Sequence, residues 1–153
     1  QLKSLLSIAV VDSNYNHDEQ VEALQNDFLA YAGTGDKHEV VDVDTSLLSG
    51  DDYNAVVKMT VVMGAGTADM MFCGEETYKK YKQQEAFLSW KEVLGDDYSK
   101  YEEYMTDDGR LDLEKCPNWE KYNMVYYSPV YAVVMSSSKN LENCIKFLEM
   151  MVQ

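Results

Sequence analysis

Residues 65–82 read Ala-Gly-Thr-Ala-Asp-Met-Met-Phe-Cys-Gly-Glu-Glu-Thr-Tyr-Lys-Lys-Tyr-Lys. Within them, Asp69 to Cys73 is a short, nearly all-apolar run with Gly64 and Gly66 before it and Gly74 after it. A strand with one wet face alternates apolar and polar residues. An uninterrupted apolar run reads instead as a strand covered on both faces. Such a strand needs neighbours on both sides, so the other segments are expected to pack around it. Glu75 and Glu76 then open a short helical stretch, where negative charge suits the positive end of the helix dipole.

Upstream, Ser4 to Asp12 is rich in aliphatic and β-branched residues and reads as a buried first strand. Ser13 to Asn16 is a turn, and Asn16 with Glu19 three places on has the form of a capping box. Val21, Leu24, Phe28, Tyr31 and Ala32 then recur at helical spacing until Gly33 stops the helix. Glu39 to Asp44 is a second strand. A loop with Ser46, Ser49 and Gly50 leads to a second helix over about 51–63, expected to be buried through Tyr53, Val56, Val57, Thr60 and Val61 and ended by Gly64 and Gly66. Strand–helix–strand–helix–strand with short connections is the pattern of a parallel sheet wrapped by helices.

Downstream, Tyr78 to Gln84 continues a short helix, and Ala86 to Leu94 is an apolar, partly helical stretch ending at Gly95. Residues 96–120 hold nine acidic and three basic residues, and their Asp108-Gly109 between Met105 and Leu111 reads as a tight hairpin or loop. Met124 to Tyr127 and Val130 to Met135 are strand-like, separated by Pro129, which cannot donate to a ladder. A closing helix from about Lys139 is expected to bury Leu141, Ile145, Leu148 and Met151 or Val152. The expected fold is one α/β domain over residues 1–153. It is a three-layer βαβαβ parallel sheet flanked by helices, with a C-terminal strand–helix return that runs either with or against the rest.

At 153 residues the chain is long enough to bury about two thirds of its unfolded surface in one core. Thirteen basic residues against 27 acidic ones leave a net charge of −14. That field repels phosphate backbones and anionic headgroups, so no nucleic acid is expected as a partner, and cationic or neutral partners suit it better. No stretch approaches the ~20 apolar residues of a membrane span, so the domain itself is not expected to insert. The sequence starts at Gln1 rather than Met, from which a trimmed product is expected, with any export signal or anchor lying upstream. Cys73, Cys116 and Cys144 are odd in number and widely spaced, which writes neither a disulfide framework nor a zinc site. Single buried thiols are expected, with one bridged pair the alternative.

Signals for chemistry are weak. Gly64-Ala-Gly66 follows a helix and opens a strand, the reverse of a dinucleotide-binding turn. Setting Gly109 at the sixth position of a calcium loop puts Tyr104 first and Lys115 twelfth, where carboxylates are required, so an EF-hand is excluded. The acidic run is expected to be solvated, with a surface calcium as the alternative. There is no Gly-x-Ser-x-Gly elbow, only two histidines (His17 and His38), and carboxylate pairs mean little at −14. No catalytic residue, cofactor or metal is expected, and the chain is not read as an enzyme. In open α/β sheets ligands bind beyond the carboxyl ends of the strands. That rule nominates Asp12, Asn14, Tyr15, Asp44, Ser46, Cys73, Glu75 and Glu76 as ligand-binding candidates, with capping and turn formation as their competing role. Tyr98, Tyr101 and Tyr104 fall on one helical face, and Tyr126, Tyr127 and Tyr131 follow. Such rings suit stacking on sugars or docking to a protein, unless they simply cover the sheet. Tyr127 and Tyr131 join the candidates.

Taken together, Gly66-Thr-Ala-Asp-Met-Met-Phe-Cys-Gly-Glu-Glu76, Tyr78-Lys-Lys-Tyr81, Glu85-Ala-Phe-Leu88 and Glu92-Val-Leu94 resemble the first lobe of extracellular solute-binding proteins of the family 1, periplasmic-binding-protein-like type. Ser128 to Lys139 and Cys144 to Met151 resemble the strand and helix that re-enter that lobe, and Ile8 to Val11 its first strand. Those proteins close two lobes around a ligand, and the residues after 95 leave no room for a second lobe. The resemblance implies a single-lobe, non-catalytic, extracytoplasmic binding domain, tethered to the membrane through a segment outside this sequence. Its ligand would be a small solute, a sugar or peptide. The alternative is a membrane-protein ectodomain that keeps the lobe as a structural or protein-interaction module without a small ligand.

Overall fold

The computed structural model describes residues 1–153. Its elements follow as β1 (Lys3–Val11), α1 (Asp18–Ala32), β2 (Glu39–Leu47), α2 (Tyr53–Ala65), β3 (Met70–Cys73), α3 (Glu75–Lys82), β4 (Phe87–Leu88), α4 (Trp90–Leu94), β5 (Leu111–Asp112), β6 (Tyr131–Met135) and α5 (Leu141–Val152). The strands form one open sheet in the order β2-β1-β3-β6-β4, with β5 also pairing β6. Strand β3 is therefore central, and all four of its side chains are buried, as its uninterrupted apolar run requires. Strands β1, β2 and β3 run parallel. The return strand β6 is antiparallel to β3, β4 and β5, so five of the six strands share one direction.

Successive side chains of the inner strands go to opposite faces. Leu6, Ile8, Val10, Met70, Phe72, Ala132 and Val134 enter the larger core, with Leu24 and Phe28 of α1 and Phe147 and Leu148 of α5. Ala9, Val11, Met71, Cys73, Tyr131, Val133 and Met135 enter a smaller core under Met59 of α2 and Tyr78 of α3. The sheet is thus covered on both faces, and the chain is a mixed α/β fold.

Several expectations are corrected. Helix α1 starts after His17, without a side-chain cap, so Asn16 and Glu19 form no capping box. Residues 124–127 make no strand; Ser13 and Val125 meet only as an isolated bridge, because the chain there is turning toward Pro129. In α5 the deepest side chains include Cys144 and Phe147, a face rotated from the expected one, although Leu148 and Met151 are buried as anticipated. Helix α2 shows the largest difference. It buries Ala55 and Met59, whereas Tyr53, Val56, Val57 and Val61 are exposed. Both of its flanks are apolar, so periodicity could not choose between them. Small Ala55 permits close approach to the sheet, and Met59 fills the gap. Tyr98, Tyr101 and Tyr104 lie on short 3₁₀ turns and pack half-buried against the larger core, which is the covering role.

One polar group sits at the start of the central strand. Asp69 is 6% exposed. Its carboxylate accepts from the Ser7 amide (2.9 Å), the Ser138 hydroxyl (2.7 Å) and the Asn140 amide group (3.3 Å). Replacing Asp69 by Ala deprives the Ser7 amide of its acceptor and releases both loop contacts. We expect a loss of about 2–4 kcal/mol in urea unfolding, and a smaller loss for Asp69→Asn, which keeps one acceptor. A loss below about 1 kcal/mol for Asp69→Ala would show that the contacts are incidental.

Candidate functional site

Strands β1 and β3 lie side by side and end together, and the chain leaves them at Asp12 and Gly74. Asp12 adopts a left-handed backbone conformation (φ 53°), which Asp tolerates better than most residues. Its amide donates to the Leu47 carbonyl (2.9 Å), and its carboxylate receives the Ser49 amide (2.9 Å) and hydroxyl (2.5 Å). The loop after β2 is thereby tied to the end of β1. Gly74 precedes α3, where a methyl group would meet the Tyr127 ring at 3.3 Å. The Tyr127 hydroxyl donates to the Val11 carbonyl (2.7 Å). Burial pushes its pKa far above the ordinary tyrosine value, with smaller upward contributions from Cys73 and Asp12, so it stays a donor.

These segments enclose a cleft of about 320 Å³ whose lining includes Asp12, Ser49, Glu75, Glu76, Tyr126 and Tyr127. Tyr126 is 73% exposed and stands edge-on to Tyr127. Beside the cleft sits Arg110, the only arginine in the chain. Its guanidinium binds Glu75, bonds Asp108 through Nε at 2.9 Å, and lies 4.3 Å and 4.5 Å from the ring centres of Tyr78 and Tyr131. Glu75 and Asp108 are thus engaged with a cation, and Lys82 also reaches Asp108 at 3.3 Å. Asp12 and Glu76 form no ion pair.

The candidates separate accordingly. Asp12, Glu75, Glu76 and Tyr127 converge on the cleft. Asn14 instead donates its amide to the Met124 carbonyl (2.7 Å), and Tyr15 projects fully into solvent. Asp44 accepts from the amide and hydroxyl of Ser46 at 2.9 and 2.6 Å, so this pair shapes the end of β2 and lies outside the cleft. Two candidates need correction: Cys73 is wholly enclosed in the smaller core, and Tyr131 is buried beneath Arg110. The sequence reading missed Ser49, Tyr126 and Arg110. A lone arginine in a chain of −14 was the available signal, because it is bound to gather carboxylates.

No histidine, cysteine or lysine lines the cleft, and no three His, Cys, Asp or Glu side chains are placed to share a metal ion. All three cysteines are free and buried, and burial pushes their thiols up to about 12. No helix is long and apolar enough to cross a membrane. No family model, curated protein or solved structure matches the chain.

Two outcomes follow from these environments. A thiol reagent at neutral pH should label none of the three cysteines in the folded protein and all three in denaturant; rapid native labelling would contradict their burial. At Asp108, burial raises the pKa, but hydrogen bonds from Thr106 and Arg110, the Arg110 charge and Lys82 outweigh it, and the group falls from 3.8 to about 2. A carboxylate with a depressed folded pKa contributes stability above its unfolded value that is lost as pH falls through the folded one. The stability advantage of the native protein over Arg110→Met should therefore be full above pH 4 and shrink toward pH 2. An advantage independent of pH in that window would assign Arg110 a packing role alone.

Proposed function

We propose that this chain is a non-catalytic binding domain, built like one lobe of an extracytoplasmic solute-binding protein, that takes a small sugar or peptide at the rim where β1 and β3 end. The observation that carries the reading is the cleft itself. An exposed tyrosine ring stands there beside two carboxylates that no cation occupies. A sugar offers apolar C–H faces to such a ring and hydroxyl donors to such carboxylates; a peptide offers its amino terminus. The lobe assignment and the extracytoplasmic placement rest on the likeness carried by residues 66–94 and 128–151.

A second reading, a protein-interaction module without a small ligand, is favoured by a different observation: the exposed apolar outer face of α2.

A panel of mono- and oligosaccharides, amino acids and short peptides tested by thermal unfolding separates the two. A ligand at about 100 times its Kd should raise Tm by roughly 5–10 °C. Tyr126→Ala and Glu76→Gln should both reduce that rise, and Tyr126→Ala, at a 73% exposed side chain, should leave the ligand-free Tm unchanged. If nothing in the panel raises Tm, the solute reading fails and the interaction reading stands alone.

A further inference from the structure

Three carboxylates line the rim cleft, those of Asp12, Glu75 and Glu76, and no lysine, arginine or histidine does. Their surroundings differ. Glu75 pairs with Arg110 and lies 3.8 Å from Lys79, while Asp108 on the same guanidinium also meets Lys82, so this group of charges is compensated. Asp12 accepts from the Ser49 amide and hydroxyl, which carry no charge. Glu76 is exposed and forms no ion pair. Ser128, also in the lining, donates to Glu114, a further carboxylate outside any ion pair. Asp51 and Asp52 follow Ser49 in the loop that leads to α2.

The cleft is also short of side-chain donors. Of its five hydroxyl-bearing residues, Ser49 donates to Asp12, Tyr127 to the Val11 carbonyl and Ser128 to Glu114. Thr77 is 8% exposed. The first amides of α3 remain, but Glu75 and Glu76 stand in that same turn and offset the positive end of the dipole. A ligand therefore meets acceptors, negative charge and the exposed Tyr126 ring. A carboxylate or phosphate is repelled there, and a neutral sugar leaves the charge of Glu76 unmatched. A protonated amine brings three donors, no acceptor and a positive charge, and the face of a tyrosine attracts it as well.

We infer that the cleft takes its ligand by a protonated amine, that of an amino sugar or of a peptide amino terminus, held at Glu76 beside Tyr126. This rests on the solute-binding reading above and narrows its ligand class. Arg110 shapes the choice. By occupying Glu75 it leaves Glu76 as the acidic side chain of that turn open to a ligand. The net charge of −14 draws a cation toward the rim and holds anions away.

Two sets of probes, titrated into the native chain and followed by amide NMR shifts, test this. Glucose, glucosamine and glucuronic acid share one ring and differ in charge. Trialanine and its N-acetylated form differ at the amino terminus. At about pH 6 the amines are protonated. In whichever frame binds, the amine-bearing member should bind about tenfold tighter than its neutral counterpart, with shifts centred on Gly74 to Thr77. Glucuronic acid should bind weakest. Salt should weaken the amine-bearing member and spare the neutral one. Glu76→Gln should abolish the margin. Asp42→Asn, which removes an exposed acidic charge from β2 outside the cleft, should preserve it. Circular dichroism checks that both variants are folded, and the comparison on the native chain stands without them. A neutral or acidic member that binds as tightly overturns the inference and leaves the solute reading intact. So does a margin that survives Glu76→Gln or is lost equally in Asp42→Asn. If neither frame binds, the inference fails, and the wider panel above decides the solute reading separately.

Discussion

The Asp69 carboxylate reaches segments up to 71 residues away, holding the Ser7 amide of β1 and the Ser138 and Asn140 side chains that lead into α5. Its own backbone adds the Ser7 carbonyl on one side and the Met135 amide on the other. The pairing of β3 with β1 and the antiparallel return of β6 therefore share one register at one residue. A buried acceptor with donors from three segments strongly disfavours any slip of those segments, because each would leave a polar group unpaired in a low-dielectric setting. The placement of β6 against β3, and of α5 over the larger core, depends on that arrangement.

At the opposite end of the strands, the sheet is finished by groups that bind one another. Tyr127 closes on the Val11 carbonyl, and Ser49 holds Asp12 in its left-handed conformation. A single guanidinium set over two tyrosine rings takes up Glu75 and Asp108. In a chain of −14, that concentration of carboxylates on one cation relieves repulsion where the rim is most acidic. What stays open is small and specific: the Glu76 carboxylate, a tyrosine ring in solvent, and the cleft beside them, where Asp12 is already held by Ser49.

The two exposed features differ in chemistry. The rim is polar and acidic, whereas the outer face of α2 is mostly apolar. The left-handed backbone of Asp12 belongs to the first of them.

Much of the architecture was legible in the residues themselves. The apolar run Met70–Cys73 could only be a strand covered on both faces, and the alternation of strands and helices before it allowed little besides a parallel βαβαβ sheet. Glycine and charge placed the end of α2 at Gly66, although Gly64 lies inside the helix, and the start of α3, because backbone sterics and helix dipoles act locally. The candidate site was half legible: the strand-end rule found Asp12, Glu75 and Glu76, and the run of tyrosines supplied Tyr127, all of which reach the cleft. Whether a side chain at a strand end points outward or inward depends on the register with its neighbours, and this is why Cys73 and Tyr131 went into the smaller core. The direction of β6, the convergence of Arg110 on Glu75 across 35 residues, and the choice of which side of α2 faces the sheet were decided by packing alone. Each is a contact between distant segments, and a helix apolar on both sides carries no periodic signal to say which side the fold will bury.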